Sequence, residues 1–319
     1  MNTASSRCLA VLALVIAGNA AHAGDPPTAP QYHLVPITVP GTSSVFVADL
    51  NDAGFAVGYA VGAKDFVNRP FLWDGTSAIL LPIPEGREEG YATGINEQGL
   101  VVGHASVLTK SGAQTTALLW DATNPSQVVE LDGPPGTQLN PDDINDAGVV
   151  VGLAATDGQF NAFQWTAADG FQDDGVPANG PGTQAYWAGV NNAGTKVGGW
   201  NFPNSASHAT VGRVGTPGIL PIAAGVDAVP SRATAINEAG VAVGEMDVDM
   251  DGRVEAVRFA NGVATAIPGA SLGLADATAS DINEAGVIVG RARDFATLQF
   301  KAFVHVDGTS YDIAARSGN

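Results

Sequence analysis

Residues 247–255 read DVDMDGRVE. Aspartates at the first, third and fifth positions supply hard oxygen ligands in the spacing that calcium loops use, and glycine at the sixth makes the sharp turn. Arg253, at the seventh, would offer its backbone carbonyl, and Glu255, at the ninth, a further carboxylate. An EF-hand needs a bidentate glutamate at position twelve, but that residue is Arg258, and no helical period flanks the loop. The competing reading is a solvated acidic hairpin. Like charges ~4 Å apart at an effective dielectric near 20 cost up to about 4 kcal/mol before screening. A bound cation removes that cost, whereas a flexible loop avoids it by spreading. The spacing favours a metal site of Asp247, Asp249, Asp251, Arg253 and Glu255 around one calcium ion, acting as a local staple.

Other chemistry is sparse. The chain has no G-x-S-x-G nucleophile elbow, and its single cysteine is Cys8. His33, His104, His208 and His305 lack metal-ligand spacing and read as ordinary strand or loop residues. Trp187 and Trp200, with Tyr186 and Phe202, could form an aromatic platform for a sugar or peptide; burial is the plainer reading, because tryptophan is highly buried on average.

What must position these residues is a repeat. Six segments match an apolar residue, Asn, two residues, Gly, two residues, Val, Gly: LNDAGFAVG, INEQGLVVG, INDAGVVVG, VNNAGTKVG, INEAGVAVG and INEAGVIVG. Their asparagines are Asn51, Asn96, Asn145, Asn191, Asn237 and Asn283, a period of about 46 residues. Asn at the first position of a type I turn and Gly in the left-handed conformation at the fourth make a tight hairpin, so these are turn residues first. Each unit also carries a second apolar strand such as PFLW, ALLW or AFQW, a short turn, and a third apolar stretch. With the residues leading into the motif, that makes four short strands, bounded by Gly, Asn, Asp and Pro. Trp73, Trp120 and Trp165 recur on the third strand, which means packing between units.

The expected fold is therefore all-β: a six-bladed β-propeller built from six four-stranded repeats of ~46 residues. A β-solenoid is the alternative. Two segments compete to close the ring: YHLVPITVPG before the first unit and SYDIAAR at the end. Two residues before the motif asparagines stand Asp49, Gly94, Asp143, Gly189, Ala235 and Asp281. On an innermost strand, the three aspartates would approach a central channel, where they could hold a metal or bond neighbouring blades.

The pattern resembles the HAF family of extracellular repeats. The resemblance rests on the I-N-x-x-G-x-V-V-G units, the GTSS turn at 41–44 and the NAF (161–163) and KAF (301–303) elements. It covers nearly all of the chain after residue 23 and implies an exported repeat protein, with no activity transferable to particular residues. The loop at 247–255 also resembles the D-x-D-x-D-G-x-x-D turns of integrin-type propellers, with Glu255 in place of the last aspartate.

Residues 1–23 read as a secretory signal: Arg7, a short apolar run, then Ala21 and Ala23 in the A-x-A positions. Residues 24–319 form a single domain without cysteine, expected to be exported to the periplasm or outside the cell as a monomer. The net charge of −18 disfavours nucleic acid, and no later segment is apolar enough for membrane insertion. The first-to-second and third-to-fourth connections are short, whereas the others are long and irregular. One face would thus carry the variable loops and any partner, an unknown protein or glycan. This makes a binding scaffold the leading function. A hydrolase or lactonase with a metal in the central channel, and a purely structural envelope protein, are the alternatives.

Overall fold

The computed structural model describes residues 35–110, 112–175, 184–201, 207–223, 229–268, 275–294, 297 and 299–313. The expected signal segment, His33 and Phe202 lie outside the described residues. What is described is all β, with no α-helix. Unit 1 holds β1 (Thr42–Leu50), β2 (Ala56–Gly62), β3 (Asn68–Trp73) and β4 (Ala78–Leu80). Unit 2 holds β5 (Glu89–Ile95), β6 (Leu100–Thr109), β7 (Gly112–Asp121) and β8 (Val128–Glu130). Unit 3 holds β9 (Gln138–Ile144), β10 (Val150–Thr156), β11 (Gln159–Thr166) and β12 (Gly170–Gly175). Unit 4 holds β13 (Gln184–Val190), β14 (Thr195–Asn201), β15 (Ser207–Arg213) and β16 (Thr216–Pro221). Unit 5 holds β17 (Ser231–Ile236), β18 (Ala242–Met246), β19 (Glu255–Ala260) and β20 (Val263–Ala266). Unit 6 holds β21 (Ala275–Ile282), β22 (Ile288–Asp294), β23 (Gln299–Val306) and β24 (Thr309–Asp312).

Within each unit, consecutive strands pair antiparallel. Four units are separate four-stranded sheets. Units 3 and 4 merge into one eight-stranded sheet through a single parallel bridge between Phe160 and Gln184. First strands of successive units touch one another, so they are innermost, and the arrangement is propeller-like.

The repeat motif has a local physical cause. In every unit the motif glycine donates its N–H to the asparagine carbonyl, as in Gly54 to Asn51 at 3.0 Å, and sits at positive φ (+84° there). The asparagine Oδ1 accepts the N–H four residues on, from Phe55, Leu100, Val149, Thr195, Val241 and Val287. The final glycine answers to a β-bulge. Each first strand carries one extra residue three positions before the asparagine: Ala48, Thr93, Asp142, Ala188, Thr234 and Ser280. The bulge swings a first-strand carbonyl over the second strand. A Cβ on Gly58, Gly103, Gly152, Gly198, Gly244 or Gly290 would lie 2.0–2.2 Å from that oxygen, so only glycine fits.

The asparagines do more than turn the chain. Nδ2 of Asn51, Asn96, Asn145, Asn191 and Asn237 donates to the carbonyl of the next unit's motif asparagine, at 3.0–3.2 Å. A second ladder runs beside it. The N–H groups of Asp52, Glu97, Asp146, Asn192 and Glu238 each donate to the side chain at the same position of the next unit. Some of the chain's acidity is thus committed to holding units together.

Five apolar clusters each straddle two successive units, and Trp120 and Trp187 are fully buried in two of them. Val57, Val102, Val151, Val197 and Val243, the motif valines facing the next unit, are 0% exposed. Their counterpart Val289 in unit 6 is partly exposed, and among the described residues no cluster joins unit 6 to unit 1. The competition between closing segments resolves as follows. The C-terminal stretch, as β24, pairs with β23, while Ile37 and Val39 pack on the unit 1 face formed by Val45, Ala56, Ala60, Phe71 and Trp73.

Candidate functional site

Antiparallel order places the N-x-x-G turns on one face and the connections between second and third strands on the other. That second face carries exposed Phe66, Leu108, Val248, Met250 and Phe300. It also carries the acidic loop, where Asp247, Asp249 and Asp251 bring carboxylate oxygens within 4.8 Å of one another. Asp247 is buried and holds the turn: its oxygens accept the N–H groups of Asp251 and Gly252, both at 3.1 Å. Met250 and Gly252 take positive φ to bring those donors round. The Asp247 N–H is anchored on the Pro230 carbonyl at 2.9 Å. Arg253 donates its N–H to Asp251. Glu255 does not join the three aspartates; its Oε2 accepts the Val248 N–H at 2.9 Å across the base of the loop.

The three aspartates of the first strands lie near enough to feel one another's charge, and each accepts backbone N–H groups. Asp49 accepts the N–H groups of Leu50 (2.7 Å) and, from the next unit, Ile95 (2.8 Å). Asp143 repeats this with Ile144 and Val190, and Asp281 accepts Ile282. Gly94 and Gly189 stand at the same position where first strands approach closely: a Cβ on Gly94 would lie 3.1 Å from the Asp143 Cα. Burial, and then repulsion from Asp143 and Asp281, pushes the Asp49 carboxyl well above the usual range. Burial lifts Asp143 to about 6, against its hydrogen bonds and with help from Asp281, and lifts Asp281 as well. The bulge residue Asp142 opens onto the channel but has protein on all sides; burial, then the Asp143 charge, pushes it up to about 7.

These shifts set a pH dependence. A carboxyl whose folded pKa is raised above its unfolded value of ~3.9 stabilises the fold fully below ~4 and loses that contribution as pH rises through 6–7. Half-buried His104, lowered to about 4 by desolvation, and His305, lowered in the same way, oppose this, because the unfolded imidazole gains its proton below ~6.5. Asp142→Asn removes one charge and none of the hydrogen bonds described above. The variant is expected to melt above the wild type at pH 7.5, by less at pH 5, and level with it only near pH 4. A gap that is constant across this range refutes the assignment.

The tryptophans are structural: Trp187 is 0% and Trp200 7% exposed. Exposed aromaticity lies instead between units 1 and 2. Phe46 stacks on Tyr59 (centroids 4.7 Å apart), Tyr59 meets Tyr91 edge-on (4.9 Å), and Tyr91 stacks on His104 (4.9 Å). The sequence signal was available: these residues occupy the columns five before and eight after Asn51 and Asn96.

No family model matches the sequence, and no curated protein matches it. Among solved structures, a Mycobacterium tuberculosis puromycin-hydrolysing peptidase aligns with TM-score 0.59 and 9% identity over 85% of this chain and 45% of that one. Prolyl endopeptidases align at 0.56 and 11% over 81% and 41%, and TolB from Acinetobacter baumannii at 0.50 and 10% over 83% and 63%. The chain thus spans under half the length of the two peptidases, and at these identities the likeness is one of fold alone.

Proposed function

We propose that this chain is an exported six-bladed propeller that binds another molecule through its long-loop face, one loop being stapled by calcium. The carrying observation is the asymmetry of the two faces. One is six near-identical turns tied into two ladders; the other collects irregular loops, exposed Phe66, Leu108, Met250 and Phe300, and the acidic loop. Each unit's four-strand pairing supports six blades, the single Phe160–Gln184 bridge being a local contact between two of them. The N-terminal pattern, with a cut after Ala23, and the resemblance to HAF repeats support export.

The hydrolase alternative needs free channel carboxylates. The oxygens of Asp49 and Asp143 are each held by two backbone N–H groups, an arrangement that favours a structural role. A hydrolase or lactonase metal would have to share those oxygens with the backbone donors.

Calcium would sit among Asp247, Asp249 and Asp251 with the Arg253 carbonyl, Glu255 bracing the loop base. The protein recovered from export, whose N-terminal sequence should begin at Gly24, is titrated while melting is followed. Loops of this kind bind with Kd of roughly 10⁻⁴–10⁻³ M, so millimolar calcium should add about 0.5–1.5 kcal/mol, and magnesium less. Asp247 caps two N–H groups, which makes Asp249→Asn the diagnostic variant: it should abolish the calcium response and leave the calcium-free protein intact. No calcium response in the wild type refutes the site.

A further inference from the structure

We propose that the aromatic ledge of Phe46, Tyr59, Tyr91 and His104 is a subsite for an uncharged saccharide. This inference rests on the reading of the long-loop face as a binding surface and names its ligand class. Four rings in continuous contact run from the first strand of unit 1 to the second strand of unit 2. Phe46, at one end, is 44% exposed, and Tyr59 is half-buried. Such a row is large, rigid and amphipathic, and it suits the C–H faces of pyranose rings, while hydroxyls need polar groups at its edge.

Those polar groups are in place. The Tyr91 hydroxyl accepts from Asn68 Nδ2 at 2.7 Å and donates to Glu89 Oε2 at 3.2 Å. Asn68 Oδ1 and the Tyr59 hydroxyl make no hydrogen bond among the described residues, so an amide oxygen, a carboxylate and a phenol stand ready for ligand hydroxyls. Asn68 begins β3 and Glu89 begins β5, both at the long-loop end of their strands, so the ledge opens on that face. Its rim carries the Asp65–Arg69 ion pair at 2.5 Å, which leaves Glu89 without a partnered cation there. An acidic rim disfavours phosphates, nucleic acid and acidic sugars. A polar rim around stacked rings also fits a sugar better than an apolar helix, which would require a continuous apolar groove.

The test uses saturation-transfer NMR on the whole protein with a panel of neutral oligosaccharides (cello-, malto-, manno- and chito-oligosaccharides), with sialylated and sulfated sugars as comparison. At least one neutral ligand is expected to bind. Tyr59→Ala and Phe46→Ala should each weaken it about tenfold, ~1.4 kcal/mol. Tyr91→Phe keeps the ring and removes the hydroxyl, and should cost about threefold. Phe46→Leu retains apolar volume and controls for folding, so its loss of affinity reads stacking itself. Failure of every neutral sugar to bind at millimolar concentration overturns the proposal, as does preference for the anionic sugars. Neutral-sugar binding that survives Phe46→Ala and Tyr59→Ala also overturns the ledge, but leaves the long-loop face standing as a binding surface.

Discussion

Asp174→Ala is expected to be among the most destabilising single substitutions in the molecule, at about 3–5 kcal/mol, because it strands a buried charge. Lys196 is 0% exposed and lies at the motif position held by Ala56, Val101, Val150, Ala242 and Ile288 in the other units. Its Nζ meets Asp174 Oδ2 at 2.5 Å and Gln164 Oε1 at 2.9 Å and lies 5.1 Å from the Trp187 ring centroid. The Trp187 indole N–H donates to the same aspartate oxygen at 2.7 Å. Burial lowers the lysine's pKa, and the hydrogen bond to Asp174 and its charge pull it back. Removing the aspartate leaves the ammonium with the neutral Gln164 oxygen as its acceptor and the indole N–H without one. Replacing both charges is a different experiment. Lys196→Val with Asp174→Asn restores the residue type of the other units and keeps an acceptor for Trp187, and should recover most or all of the lost stability. Urea midpoints of the two single variants and the double variant measure this. A cost under ~1 kcal/mol for Asp174→Ala would mean that water reaches the pair.

Lys196 also shows where sequence reasoning stopped. Its oddity was visible, since T-K-V-G interrupts five apolar entries in the same column, but its partner was not. Asp174 comes from the outer strand of the preceding unit, 22 residues away in a stretch with no repeat signal. The architecture was legible because its cause is local: N-x-x-G turns and alternating strands are written within one unit. The inserted bulge residues were not, because Ala48, Thr93 and Asp142 share no side-chain chemistry; what betrays them is the glycine opposite. The acidic loop was legible as spacing, and the structure gathers its three aspartates while Glu255 accepts a backbone N–H at the loop base. Burial, the plainer reading of Trp187 and Trp200, holds for a physical reason. Tryptophan stands out in a sequence, yet its size draws it into the core. The row of partly exposed rings belongs to Phe46, Tyr59 and Tyr91, whose contact depends on how two units meet.

The motif asparagine carries the second large effect, and its six copies supply an internal control. Asn145 is 5% exposed; its Oδ1 accepts the N–H groups of Ala147 and Val149, and its Nδ2 donates to the Asn191 carbonyl at 3.0 Å. Asn145→Ala therefore leaves the buried Val149 N–H unpaired and takes from the Asn191 carbonyl one of its two donors, the Gly194 N–H remaining, and should cost about 2–4 kcal/mol, since an unsatisfied buried group costs ~1–3 kcal/mol and a lost hydrogen bond ~1 kcal/mol. Asn283 has the same sequence context, caps Val287 in the same way, and is exposed, with no onward bond from its Nδ2 among the described residues. The carbonyl through which it receives Asn237 is backbone and survives substitution. Asn283→Ala should thus unpair only the buried Val287 N–H, at about 1–2 kcal/mol. The motif read as a turn signal alone predicts equal costs at the two positions; the ladder predicts that they differ by more than ~1 kcal/mol. Equal melting shifts for the two variants would show either that the onward bond contributes nothing or that unit 6 docks on unit 1 in solution and completes the ring. The two cases separate on Val289→Ala: an uncovered valine loses little, whereas one buried like Val243 costs about 1–3 kcal/mol.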